Sequence, residues 1–228
     1  MKKLKVLIGC EFSQIVTKAF RDKGHEAYSC DIIPAEGGHP EWHIQDDVLK
    51  HLDDGWDLGI FHPPCTYLTN TANKWLKDQP ARKSGVLVGQ ERRKARLEAI
   101  DFFKKLYYCD IPHKCIENPT GCMSTVLRKP DQIIQPWMFG HPETKSTCLW
   151  IKGLPLLIST KIVTPEYLIA KNKKYSLTHY NPVLSKRSKN HLDFLPTSKN
   201  RSKIRSLTFS GIAEAMSSQW SKYLLTSE

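Results

Sequence analysis

Four short apolar runs, each stopping at residues with chemistry to offer, constrain this chain more than anything else in it. Lys5-Val6-Leu7-Ile8 stops at Gly9, and residues 26–30 stop at Asp31. Residues 57–61 stop at a Pro-Pro pair, and Lys114-Cys115-Ile116-Glu117 stops at Asn118-Pro119. Between the first two runs, Ile15, Val16, Ala19 and Phe20 have helical spacing within residues 13–23, and Gly24 closes them as a C-terminal glycine does. Ahead of the fourth run, Leu97, Ile100, Phe103 and Leu106 mark the apolar stripe of a second helix. Strands alternating with helices predict an α/β fold, a doubly wound and mostly parallel sheet covered on both faces. Ligands of such sheets sit outside the carboxyl ends of the strands. Gly9, Asp31, Asp46, Cys65 and Glu117 all fall at or near those ends, so one rim is expected to carry the site.

A chain of 228 residues suffices for one sizeable core, or for one domain with an inserted lobe. The composition changes at about residue 158. From there to residue 202 the chain is rich in Lys, Ser, Asn and Pro, and its periodicity is weak. Residues 211–225 return to a helical pattern, with Ile212, Ala215, Met216 and Trp220 on one face. The formal net charge of +11 favours a polyanionic partner, nucleic acid before an anionic membrane. Seven cysteines without a Cys-x-x-Cys pair argue against zinc and against a disulfide framework. Cys109, Cys115 and Cys122 are expected as buried free thiols in a reducing, cytoplasmic compartment. The start, Met1 to Cys10, imitates a lipoprotein leader, but Val6-Leu7-Ile8 is shorter than the roughly 7–15 apolar residues of such a segment and reads as a strand. No apolar stretch approaches the roughly 20 residues of a membrane span.

Cys65 follows Pro63-Pro64, which ends the strand and stiffens what comes after. A cysteine so placed is a candidate nucleophile, and an ordinary buried thiol is the alternative. Glu117 closes a mostly apolar strand, where desolvation is expected to raise its pKa and let it donate to a ring nitrogen. Capping a turn or pairing with a lysine is the alternative there. His141 is open to a substrate contact or a structural hydrogen bond. Trp75, Trp137 and Trp150 are open to base stacking or core packing. The run Arg92-Arg93-Lys94-Ala95-Arg96 is open to phosphate tracking or plain solvation.

Pro64-Cys65 after one strand and Glu117-Asn118-Pro119 after another resemble the DNA cytosine-5 methyltransferase family, in its compact phage- or prophage-type branch. Residues 6–13 (VLIGCEFS), 135–150 (QPWMFGHPETKSTCLW) and 206–220 (SLTFSGIAEAMSSQW) are similar to further segments of that family. The resemblance implies a Rossmann-like, S-adenosylmethionine-dependent methyltransferase core over residues 1–157. It also implies a basic insert or reduced target-recognition region over 158–202, and a helix over 203–228 that returns to the cofactor pocket. Gly9, Cys10, Phe12, Asp31, Asp46, Asp47, Pro63, Ser210 and Gly211 are the cofactor-binding positions it implies. Asp31 would meet the ribose hydroxyls, and Asp46 or Asp47 the adenine amino group. Asn118, Lys145, Arg201 and Arg205 are the implied substrate contacts. The family's Gln-Arg-x-Arg segment has no counterpart, and Lys145, Arg201, Lys203 and Arg205 are the cations available to replace it. The expected protein is a monomer that acts on DNA in a bacterial or phage-infected cell, with no metal.

The implied chemistry explains the residue types. Carbon 5 of cytosine is a poor nucleophile. Addition of the Cys65 thiolate to carbon 6, with Glu117 at ring nitrogen 3, turns the ring into an enamine that carbon 5 can use to take a methyl group. The base must leave the stack to reach such a pocket. His62-Pro63-Pro64-Cys65 also resembles the Asp-Pro-Pro-Tyr motif of amino-group methyltransferases, although His62 and Cys65 supply neither its acidic or amide group nor its aromatic ring. A non-catalytic DNA-binding protein on a degenerate methyltransferase fold is the other alternative.

Overall fold

The computed structural model describes residues 2–82, 84–163 and 201–226, apart from the side chains of 201 and 202. Most of the expected insert, and with it the Arg201 side chain, lies outside the described residues. Among them, seven strands form one sheet: β1 (Lys5–Gly9), β2 (Glu26–Cys30), β3 (His43–Ile44), β4 (Leu58–Phe61), β5 (His113–Pro119), β6 (Gln132–Ile134) and β7 (Thr147–Lys152). Their spatial order is β3-β2-β1-β4-β5-β7-β6. β7 pairs antiparallel with both β5 and β6, and the pairs among β1 to β5 are parallel. The order reverses between β1 and β4, where a doubly wound sheet opens a crevice for ligands.

Among the described residues, five α-helices accompany the sheet: α1 (Ile15–Arg21), α2 (Gly89–Tyr108), α3 (Met123–Val126), α4 (Arg201–Ser206) and α5 (Ser210–Thr226). Side chains alternate across the pleat, so each strand feeds two cores. Val6, Ile8, Leu58, Ile60 and Cys115 face Val16 and Phe20 of α1 and Met216 and Trp220 of α5. Leu7, Phe61, Ile116 and Trp150 face Phe103 and Leu106 of α2. This two-sided burial is the expected doubly wound α/β architecture.

Three local readings change. The expected stripe on α2 passes through Leu97, but Leu97 is 67% exposed while Arg92 is 4% exposed. The inner face continues from Phe103 through Ala99 to Arg96 and Arg92, because those guanidiniums have carbonyls to bind there. The α1 helix begins later than expected, since Gln14 adopts a left-handed conformation (φ 57°) and its amide grips His39 at both the backbone N–H and the carbonyl. β5 does not end before Asn118-Pro119 either. It continues to Pro119, which pairs with Thr147. Proline is tolerated there because the parallel pairing to β4 has already ended at Ile116, so the missing N–H faces no ladder on that side.

α5 enters beneath the sheet rim at Gly211. A Cβ at that position would run into the Phe139 carbonyl and lie 3.2 Å from His141 Nε2. The Gly211 N–H donates to that same nitrogen at 3.0 Å. Gly211→Ala is therefore expected to cost about 1–3 kcal/mol, the usual range for overpacking. A thermal melt checks it, at roughly 2–4 °C per kcal/mol for a domain of this size.

Candidate active site

At the β1 end of the crevice, Gly9 ends its strand with the Phe61 ring where a side chain would stand, 2.6 Å from an added Cβ. Cys10 then turns left-handed (φ 59°). The Cys10 and Glu11 N–H groups both donate to the Cys30 carbonyl, at 2.7 and 3.3 Å. This crossed pairing ties the β1 turn to the end of β2, where Asp31 leaves. Burial, with Asp31, Cys30 and Asp47 nearby, pushes the Cys10 thiol far up, so Cys10, Asp31 and Asp47 share one corner. Burial also raises the Asp31 carboxyl, whose Oδ1 accepts the Ile33 N–H at 3.2 Å. Asp47 caps a short 3-10 turn through the Leu49 N–H at 3.0 Å. Asp46 is committed elsewhere. Lys50 Nζ donates to it at 2.7 Å, and with the Asp47 N–H holds it down to about 2.

Glu11 is the residue of this corner that sequence reading passed over. It is 4% exposed. Its carboxylate accepts the Val16 N–H at 2.6 Å, the Thr17 N–H at 3.2 Å and the Thr17 hydroxyl at 2.7 Å. These are the free donors of the first turn of α1. In dinucleotide sites such donors hold a phosphate. Here the Glu11 carboxyl, which burial raises above its ordinary value, fills the place, so a phosphate would find those donors already taken. The corner suits a ligand with ribose-type hydroxyls and no phosphate.

At the β4–β5 end, the register Phe61↔Ile116 leaves Glu117, Asn118 and Pro119 overhanging the end of β4. The His62-Pro63-Pro64-Cys65 segment lies against this overhang. Asn118 is 2% exposed and its amide donates to the Pro63 carbonyl at 2.7 Å. Asn118 thus binds the frame that carries Cys65 through its amide N–H, while its Oδ1 is buried with no hydrogen-bond partner among the described residues. His62 Nδ1 lies 3.3 Å from Glu117 Oε2, with the two side chains 9% and 14% exposed. Burial pushes the Glu117 carboxyl up, but the His62 hydrogen bond and the charges of Lys145 and His62 outweigh it and leave the group below its ordinary value. The sequence expectation of a raised Glu117 is corrected on this point. Desolvation is present, and two cationic neighbours exceed it. Burial, then the Glu117 charge, raises the Cys65 thiol, against which Lys145 and Arg205 act. Cys65, Glu117, Lys145 and Arg205 are therefore in one electrostatic cluster. Lys203 is spent elsewhere, paired with Glu36 and lying over the Phe12 ring at 5.3 Å.

The segment after Cys65 is held from outside. Arg92 donates to the Thr66 carbonyl at 2.9 Å, and Arg96 donates to the Tyr67 carbonyl at 2.8 Å and Asn73 Oδ1 at 2.6 Å. Arg93 donates to the Leu76 carbonyl at 2.8 Å. Neither phosphate tracking nor plain solvation describes these arginines, which brace the Cys65 segment. Gly121 closes its other side through a bridge to Thr69. Trp150 is core, 1% exposed, with its indole N–H on the Arg128 carbonyl. Trp75 holds Lys74 and Arg82 over its ring, at 4.8 and 4.7 Å. The Trp137 carbonyl takes the Val163 N–H. His141 is structural, accepting the Gly211 N–H beside Ser210 at the start of α5, and burial lowers its pKa toward the neutral form.

Among the described residues, no group of three His, Cys, Asp or Glu side chains is placed to hold a metal ion, and no helix is long and apolar enough to cross a membrane. No protein-family model and no curated protein matches the chain.

The charges around Cys65 give a direct expectation. Removing the Glu117 charge (Glu117→Gln) favours the thiolate, and removing the Lys145 charge (Lys145→Met) disfavours it. At neutral pH, iodoacetamide labelling of Cys65, followed by peptide mass analysis, should be severalfold faster in the first variant and slower in the second.

Proposed function

We propose that this chain is an S-adenosylmethionine-dependent methyltransferase acting at carbon 5 of cytosine in DNA, as a monomer in the cytoplasm of a bacterial or phage-infected cell. The observation that carries this reading is the convergence of Cys65 and Glu117, from adjacent strand ends, with Lys145 and Arg205 beside them. A thiol, a carboxyl group and two cations at the switch-point rim are what covalent activation of a pyrimidine requires. The net charge of +11 supports a nucleic-acid substrate.

The β1–β2 corner supports the cofactor assignment. Asp31, with one oxygen engaged by Ile33, would take the ribose hydroxyls with the other. Asp47 would face the adenine edge in preference to Asp46, which Lys50 and His51 already hold. Glu11 at the head of α1 disfavours dinucleotides and is compatible with a cofactor that has no phosphate. When bound, S-adenosylmethionine supplies the methyl group that carbon 5 takes up.

Cys65 would add through sulfur to carbon 6 as its thiol proton passes to solvent, and the ring electrons move toward nitrogen 3. Glu117, taking up a proton from solvent as the base enters, donates it to nitrogen 3 and so stabilises the charge that develops there. Lys145 and Arg205 favour the thiolate against burial. Solvent water then accepts the carbon-5 proton, the carbon–sulfur bond breaks with its electron pair returning to sulfur, and Cys65 is regenerated. Asn118 keeps Pro63 in place throughout, so the thiol does not drift from the base.

Nucleoside mass analysis after incubation with S-adenosylmethionine and mixed-sequence DNA tests the reading. We expect 5-methylcytosine, its loss in Cys65→Ala, and a fall on the order of 10²–10⁴ in rate for Glu117→Gln. A product methylated on an exocyclic amine and indifferent to Cys65 would place the chain among amino-group methyltransferases. DNA binding without product or cofactor binding would make it a binding protein.

A further inference from the structure

We infer that His62 is the positioning residue that aims Glu117 at the base, holding its Oε2 through Nδ1. The inference rests on the methyltransferase reading and concerns a residue that the motif resemblance left without a task. His62 stands at the junction of the two halves of the crevice. Its backbone N–H extends the β1–β4 pairing by donating to the Gly9 carbonyl at 3.0 Å. Its ring reaches Glu117 across the overhang of β5, with Nδ1 3.3 Å from Oε2. Nε2 is buried with no hydrogen-bond partner, in a side chain only 9% exposed. A buried imidazole nitrogen left unpaired is costly, and such groups cluster where they serve a reaction.

The charged groups around the ring agree with this role. Glu117 faces it from β5, and Glu11 feels its charge from the turn after β1. Cys65 lies three residues along its own segment, and Lys145 acts on the far side of Glu117. The hydrogen bond from Nδ1 to Oε2 fixes the rotation of the Glu117 carboxyl and leaves Oε1 to meet ring nitrogen 3.

Two measurements decide the matter. In the first, the Glu117 carboxyl is titrated by ¹³C NMR in the wild type, in His62→Phe and in His62→Gln, with folding checked by circular dichroism. Its midpoint should rise in His62→Phe, and less in His62→Gln, which keeps a neutral N–H donor. An unchanged midpoint in both variants overturns the inference. In the second, kcat and KM for DNA are measured separately. His62→Phe should lose roughly 10–100-fold in kcat, the scale of a charge-assisted hydrogen bond, with KM unchanged and with part of the loss restored in His62→Gln. An unchanged kcat in His62→Phe, or a loss confined to KM, overturns the positioning role. If the wild type makes no methylated product, the reaction reading falls, while the carboxyl titration still decides for or against the His62–Glu117 pairing.

Discussion

The overhang of β5 beyond β4 is the constraint on which the rest of the site depends. Had both strands ended in register, Glu117 would close a strand and point into a turn. β5 instead runs on to Pro119, supported on its far side by β7, and leaves a short ledge at the rim. The Asn118 amide binds the Pro63 carbonyl from that ledge, and Glu117 reaches His62 from it. Two prolines stiffen the segment laid on the ledge, so a single buried hydrogen bond suffices to fix where Cys65 stands. Breaking it would leave a buried carbonyl without a donor, at about 1–3 kcal/mol. The antiparallel β7 is therefore part of the site although it gives it no reacting group.

The same economy governs the basic residues. A net charge of +11 reads as a surface for a polyanion. Yet Arg92, Arg93 and Arg96 turn to the carbonyls of the segment after Cys65. A guanidinium presents several donors in a fixed plane, which suits bracing a stretch of backbone that forms no ladder of its own. That stretch lacks the sheet pairing that holds β4, and α2 takes the place of a neighbouring strand. Lys145 acts on both Cys65 and Glu117, and Arg205 acts on Cys65. Charge in this chain is thus divided between holding the site and tuning it.

Where hydrophobic period and strand ends carried the information, the fold was legible in the sequence. β1, β2 and β4, together with α5, lie close to where their apolar residues place them, and the doubly wound architecture follows from their alternation. Tertiary choices could not be read in the same way. Arg92 on the inner face of α2 breaks the expected stripe, and only the carbonyls of the neighbouring segment explain why a charged residue is buried there. β6 and β7 give short or mixed patterns and become strands because the edge of β5 needs covering. The motifs single out Cys65 and Glu117, and the structure brings the two within electrostatic reach, but the sign of the Glu117 shift was not legible. Burial was inferred correctly from the apolar strand. The opposing effects of His62 and Lys145 depend on contacts 55 residues apart for His62 and on the return of the chain before β7.

Glu11 shows how a departure from a motif carries information of its own. A glycine-rich turn before α1 would leave the helix N-terminus open to a phosphate. This chain places a carboxylate there, buries it and satisfies it with two N–H groups and a hydroxyl. Burial raises this carboxyl, and its hydrogen bonds to Thr17 and Val16 act against that rise. The turn keeps its shape because Cys10 takes the left-handed conformation that a glycine would otherwise supply, held by the Cys30 carbonyl. The substitution thus preserves the turn while changing what can bind beside it. His62 acts on both Glu11 and Glu117, so one imidazole stands between the turn after β1 and the overhang of β5.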